Sequence, residues 1–350
     1  MKKKLALILS MVLVMSFALV GCGTNAPKEE AKEETTKVES KEEAKVEKSE
    51  EALKVALVVA GGLGDRSFYD SSNEGMEMIK KDFGVTGVVL ECKNDPTLYT
   101  EQLIQASEMS DAVVVVGFEF YDVIQEVAKE FADKKYIYID NVVEGVDNIT
   151  CIDYMENEGS FLAGALAAMM TESGKVGMVG GMDIPVIRNF QVGYEAGAKY
   201  VNPEIEVETI FAGDFEDPAK GKESALALYS KGVDIIFQVA GKTGEGVFEA
   251  GKDVNKFAIG VDSDQRFINP DVIVGSMIKG VSLSIYESVQ RMEDGNFESG
   301  KVYKYGAKEN GVRMSYGDES MKQLVSDEIQ AKIKELNDKI IAGEIEVPEA

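Results

Sequence analysis

The chain has 350 residues, with 37 Lys+Arg against 62 Asp+Glu, no His, no Trp and three Cys. The missing His excludes Ser-His-Asp and Cys-His catalysis, His-ligated zinc and imidazole pH sensing, and three Cys cannot build a Cys₄ zinc site or several disulfides. A formal net charge of −25 excludes an ordinary phosphate-backbone binder, which needs a basic face, and leaves carboxylate or metal-hydroxide chemistry, or binding without catalysis.

Lys2, Lys3 and Lys4 precede an apolar run from Leu5 to Val20, and Gly21-Cys22 follows. A basic start, a short apolar stretch and a small residue before the cut describe a secretory signal over residues 1–21. The junction resembles the lipobox of bacterial lipoproteins, which makes Cys22 the lipidated N-terminus of the mature chain. The alternative is an uncleaved membrane anchor with an incidental Cys, for which the run is short. Residues 23–52 hold ten Glu, six Lys and almost nothing large and apolar, a composition that cannot offset its ordering entropy. With Cys22 they form a charged tether, and the fold begins near Leu53.

From there, apolar runs of strand length alternate with helical spacing. The strands are predicted at Lys54–Ala60, Gly87–Glu91, Ala112–Val116, Tyr136–Asp140, Lys175–Val179, Val207–Phe211, Val233–Val239 and Phe257–Val261. They are rich in Val and Ile without strict alternation, as central strands covered on both faces are. Helices are predicted over Ser71–Asp82, Tyr99–Glu108, Tyr121–Phe131, Glu156–Met170, Ile187–Tyr200, Lys220–Tyr229 and Gly244–Lys252. The series implies an α/β protein with parallel sheets and right-handed crossovers, and the number of strands implies two sheets. The passage between them is placed at Asn141–Asp153, where Thr150–Asp153 follows Tyr136–Asp140 with no helix between. Together with the resemblance given below, this implies one lobe of 53–142 plus about 280–305, and another of 143–279 plus about 306–350.

Sheets of this kind bind ligands beyond the carboxyl ends of their strands, so the loop after each strand is where function is expected. Gly61-Gly62-Leu63-Gly64-Asp65-Arg66-Ser67-Phe68 follows the first strand. Gly62-x-Gly64 is a weak dinucleotide signal, because Ser stands where the third Gly belongs. Asp65 and Phe68 offer a carboxylate and a ring face, although Asp65 also suits a helix cap and Phe68 a core. Gly117-Phe118-Glu119-Phe120 follows the third strand, and reads equally as helix initiation. Later loops bring Gly180-Gly181 with Phe190, then Asp214-Phe215, Gly241, Asp262, and Lys279 at the end of a strand. Carboxylates, aromatics and one Lys on the same edge of two sheets suit a neutral polar ligand with a flat ring and hydroxyls. Cys92 and Cys151 read as free thiols rather than a disulfide.

Five segments resemble the basic membrane protein family of bacterial lipoproteins, which includes the purine nucleoside receptor A group of ABC-transporter substrate-binding proteins. They are GGLGDRSFYDSSNEGM at 61–76, FLAGALAAMMTESGKVGMVGGMDIPVIRNFQVGYEAG at 161–197, AGDFEDPAKGKESA at 212–225, AGKTGEGVFEA at 240–250 and IGVDSDQ at 259–265. The resemblance implies a type I periplasmic-binding-protein fold: two Rossmann-like lobes with parallel sheets joined by a hinge. It implies a nucleoside ligand in the cleft, an ABC permease as partner, a membrane attachment through Cys22 and a monomeric, extracytoplasmic protein with no cofactor, metal or nucleic-acid partner. By position Asp65 bonds the base, Phe68 and Phe215 stack on it, and Asp262 and Lys279 hold the ribose hydroxyls. Phe211 is the alternative to Phe215. Phe118, Phe190 and Gly241 line the cleft. Where many relatives carry Asn before the first-loop Asp, this chain has Gly64. Asp262 and Lys279 are expected to pair when no ligand is present.

Three other readings compete. The same fold can hold a sugar or a signalling molecule. A surface adhesin is compatible with the anchor and tether. A Ca²⁺-dependent nucleoside hydrolase needs several converging carboxylates, for which only Asp262 and Asp264 are close in sequence. The lobes carry nearly all of the negative charge, which favours a neutral nucleoside over a nucleotide.

Overall fold

The computed structural model describes residues 52–318 and 320–350, so the expected signal, Cys22 and most of the tether lie outside the described residues. Twelve strands form two six-stranded sheets. They are β1 (Lys54–Val59), β2 (Thr86–Glu91), β3 (Ala112–Val116), β4 (Lys135–Ile139), β5 (Ile149–Tyr154), β6 (Lys175–Gly180), β7 (Glu206–Phe211), β8 (Ile235–Val239), β9 (Phe257–Asp262), β10 (Ile273–Lys279), β11 (Val302–Tyr305) and β12 (Val312–Ser315). The first sheet has the order β11-β5-β4-β3-β1-β2 and is parallel throughout. The second has the order β12-β10-β9-β8-β6-β7, with β12 alone antiparallel.

The helices follow the same alternation: α1 (Phe68–Phe83), α2 (Tyr99–Met109), α3 (Tyr121–Glu130), α4 (Glu156–Met170), α5 (Pro185–Val201), α6 (Pro218–Ser230), α7 (Glu245–Val254), α8 (Val281–Glu293) and α9 (Asp327–Ile341). β3 is Ala-Val-Val-Val-Val and wholly buried, because helices cover both faces of its sheet. α8 returns to the first lobe and packs on α1, while α9 packs on α4 in the second. Ser326 starts α9 by accepting the Ile329 N–H.

The placement of the first lobe-to-lobe passage is corrected. β5 pairs with β4 on one side and β11 on the other, so 149–154 belongs to the first sheet and the chain leaves it at Met155. The connection from β4 to β5 needs no helix because Asn148 anchors it. Its side-chain amide donates to the carbonyls of Ala128, Phe131 and Lys134 at the end of α3. Val143 and Val146 are buried beneath the same loop. The chain passes between lobes three times: at Met155, at Gly280 and over 306–311. Backbone bonds tie the passages together, Met155 N–H to Tyr305 O at 3.1 Å and Gly280 N–H to Gly311 O at 2.7 Å. Cys92 and Cys151 are buried free thiols, and burial pushes the Cys92 thiol up to about 12.

From Phe161 on α4 is apolar all round, and eleven residues of the helix are buried. It packs on α5 backbone to backbone. A Cβ at Gly164 would stand 2.0 Å from the Tyr194 carbonyl oxygen, and one at Gly197 would stand 1.9 Å from that of Phe161. Gly197→Ala is therefore expected to cost about 1–3 kcal/mol or more through overpacking. Urea unfolding of the variant checks this, and an unchanged midpoint would contradict the close packing.

Candidate functional site

The carboxyl ends of the two sheets face one cavity of about 700 Å³, open space at its mouth included. All eight residues singled out as ligand-binding line it: Asp65, Phe68, Phe118, Phe190, Phe215, Gly241, Asp262 and Lys279. They come from loops as far apart in sequence as β1 and β10, and the strand-end rule is what gathers them.

At the centre of the polar side is Lys279, the last residue of β10, only 4% exposed. Its Nζ lies 2.6 Å from Asp140 Oδ2 and 4.0 Å from Asp262 Oδ1. The expected pairing with Asp262 is thus present but secondary; Asp140 is the main partner. Nζ also sits 4.5 Å from the Phe68 ring centroid and 5.5 Å from that of Phe190, within cation–π range. Burial by itself would lower the lysine's pKa. Asp140, Asp262 and Glu156 together outweigh it and hold the ammonium above its ordinary value.

The two aspartates stand alike at the ends of their strands. Asp140 has φ 68° and Asp262 has φ 65°, the left-handed region that a non-Gly residue enters at a cost of about 1–2 kcal/mol. The turn aims each carboxylate across the sheet end toward Lys279. Burial raises the Asp262 carboxyl, opposed by Lys279 and by the Ser67 hydroxyl, which donates to Asp262 Oδ2 at 2.5 Å. Glu156 stands behind Asp140 at the start of α4. Burial first and then the Asp140 charge push its carboxyl well above the carboxylate range, and the Asn189 amide donates to its Oε2 at 2.9 Å.

The first loop is clasped by the second lobe. Besides the Ser67–Asp262 bond, the Arg66 carbonyl accepts from Ser263 Oγ at 2.9 Å and Gln265 Nε2 at 3.0 Å. The Arg66 guanidinium reaches Glu245 at 3.7 Å. Asp65 holds this loop from within. Its Oδ1 accepts the N–H groups of Ser67 and Asp70, each at 3.0 Å, and its Oδ2 accepts that of Tyr69 at 2.9 Å. Burial still outweighs those three donors and pushes the carboxyl up to about 7. Asp65 is thus a helix cap as well as a wall of the cavity.

The rings divide between wall and core. Phe190 is 2% exposed and packs on Phe237 at 6.3 Å between centroids, so it floors the cavity. Phe215 lies across Gly181, where an added Cβ would come within 2.2 Å of its ring, and beside Gly241, whose φ is 54°. These glycines make room for the ring. Of the two alternatives for the second stacking position, Phe215 lines the cavity, while Phe211 lies under the Arg188 guanidinium at 4.6 Å. Asp264 turns away from the cavity: its Oδ2 accepts the Ser315 hydroxyl and its Oδ1 the Arg266 N–H. Among the described residues no group of His, Cys, Asp and Glu is arranged to hold a metal ion.

Tyr69, the second aromatic after Asp65, also lines the cavity, as do Glu119, Glu216 and Lys242, which the strand-end loops contain without an assigned role, and Asp140 and Asn141, which sequence reading missed. Asp140 directly follows β4 and Asp262 ends β9, so the same strand-end rule applies to both; in the sequence Asp140 reads as the end of a strand and Asn141 as the start of the interlobe passage.

A family model described as "ABC transporter substrate-binding protein PnrA-like" matches residues 52–350. Basic membrane protein A of Borreliella burgdorferi is 34% identical over 84% of this chain and 87% of its own. The ABC transporter nucleoside-binding protein BmpA of Lactococcus lactis subsp. cremoris is 30% identical over 99% of both chains. The crystal structure of an ABC transporter solute-binding protein from Aeropyrum pernix superposes with a TM-score of 0.76 at 28% identity, covering 85% of this chain and 94% of that one. The cavity between two parallel sheets and the match along the whole folded part lead to one conclusion: the chain belongs to the PnrA-like family of ABC transporter substrate-binding proteins.

Proposed function

We propose that the protein captures nucleosides, purine nucleosides foremost, in the cavity between its lobes and delivers them to an ABC permease for uptake. On this reading it is an extracytoplasmic monomer held to the cell membrane by lipid on Cys22. The observation that carries the ligand assignment is the buried Lys279 between Asp140 and Asp262, with Phe68 and Phe215 on the same cavity.

A ribose offers vicinal hydroxyls, each a donor and an acceptor. Two carboxylates accept from them and the ammonium donates to them, so one cluster satisfies both sides. A planar base suits the rings, with stacking contributing about 1–3 kcal/mol per base. The Lys279 cluster sets one ammonium against two carboxylates, which leaves no unmatched positive charge for a phosphate. The acidic lobes further disfavour one. Asp262 touches both Ser67 of the opposing loop and the Lys279 cluster, so a ligand bonded there spans the contact that closes the lobes. The name of the Lactococcus relative agrees with a nucleoside ligand. Two lipid chains at Cys22 suffice for stable anchoring.

A thermal-shift panel of inosine, guanosine, adenosine, the free bases and sugars tests this reading. Nucleosides are expected to raise Tm and free bases to do so much less. A shift with a sugar and none with any nucleoside would overturn it. Lys279→Met removes the ammonium and leaves two buried carboxylates facing the ribose. Nucleoside affinity is expected to fall by about 2–5 kcal/mol, thirtyfold or more, by calorimetry.

A further inference from the structure

Resting on the nucleoside reading, we infer that Glu119 selects the base, and that it selects guanosine over inosine. The argument starts from what Asp65 has left to give. A carboxylate has about four acceptor sites, and three of Asp65's are taken by the backbone N–H groups of its own loop. It holds α1 and the loop in place and has little acceptor capacity for the two donors of a base edge.

Two carboxylates of the cavity have a buried oxygen without a hydrogen-bond partner among the described residues: Asp140, which belongs to the Lys279 cluster, and Glu119, which does not. Glu119 lies in the single turn Phe118–Phe120 after β3 and lines the cavity. Its Oε2 is buried and has no hydrogen-bond partner among the described residues. Gly117 makes the place for it: with φ 126°, a Cβ there would meet Glu119 Oε2 at 2.7 Å and the Ala60 Cβ at 2.6 Å. The ion pair between Lys242 and Glu216, at 3.9 Å, leaves Glu119 out. A buried carboxylate oxygen without a donor is costly, so this wall is completed by a ligand that brings donors. Burial raises the Glu119 carboxyl, opposed by its own backbone N–H, and further donors favour its ionised form.

The Lys279 cluster takes the ribose, so the base extends toward the first-lobe loops that carry Asp65 and Glu119. Guanine presents N1–H and the 2-amino group side by side, two parallel donors that match one carboxylate bidentately. Inosine keeps N1–H and lacks the amino group. Adenine sets an acceptor, N1, beside its amino group.

Calorimetric titration of the ligand-stripped protein with guanosine and inosine is the test, repeated on Glu119→Gln. The native protein is expected to bind guanosine at least tenfold more tightly than inosine. Glu119→Gln is expected to bring that ratio to one or below, with inosine affinity kept within threefold, because an amide matches the N1–H and O6 edge of inosine. Retained inosine binding also shows that the variant is folded. Equal affinities in the native protein, or an equal loss of both nucleosides in the variant, would overturn the assignment to Glu119 while leaving the nucleoside reading intact. Failure of the native protein to bind either nucleoside would overturn both.

Discussion

A buried ammonium held between two aspartates organises this molecule. Lys279 is the last residue of β10 in the second sheet, and its closest partner, Asp140, directly follows β4 in the first. An ion pair taken out of water is costly unless each charge is matched and its remaining bonding capacity is satisfied. Here Asp262 supplies the second negative charge, Ser67 bonds Asp262, and the Asn189 amide bonds Glu156 behind them. Each of these partners comes from a different element. The two sheets must therefore meet at their carboxyl ends for the ammonium to be matched.

That constraint explains the backbone at the site. Left-handed conformations at Asp140 and Asp262 are costly locally and persist because the ion cluster and the surrounding strands determine them. The glycines work in the same direction. Gly181 and Gly241 admit the Phe215 ring, and Gly117 admits the Glu119 carboxylate. The cavity wall is a set of close approaches between side chains and backbone, supported by a rigid helix pair in α4 and α5.

Much of this was legible in the sequence because it is written locally. Continuous Val and Ile runs mark β1, β3 and β8, and the apolar stretch 156–170 marks α4. The strand-end rule led to eight residues that the fold does bring to one cavity. What escaped depends on distant partners. β11 and β12 have four residues each, and their pairing is with β5 and β10, far away in the chain. α8 mixes serines through its apolar spacing, since Ser284 and Ser288 bond carbonyls one turn back. α9 was readable from Ile329, Ile333, Leu336 and Ile340 and was passed over. The linker assigned to 141–153 failed because Asn148 does the work of a crossover helix, which composition does not reveal. Glu119 was quoted within its motif and set aside, since an unpartnered oxygen is a property of three-dimensional surroundings.

Lys279 is followed at once by Gly280, where the chain passes between lobes and bonds Gly311. The cavity's buried ammonium and an interlobe passage are thus consecutive in the chain. Changes in the neighbouring passage at 306–311 can alter how readily the lobes close without touching any atom of the cavity. On the nucleoside reading proposed above, substitutions there would retune the concentration at which cargo loads while the choice of cargo stays fixed. Capture threshold and chemical discrimination are separable traits in this architecture, set by different stretches of the same chain.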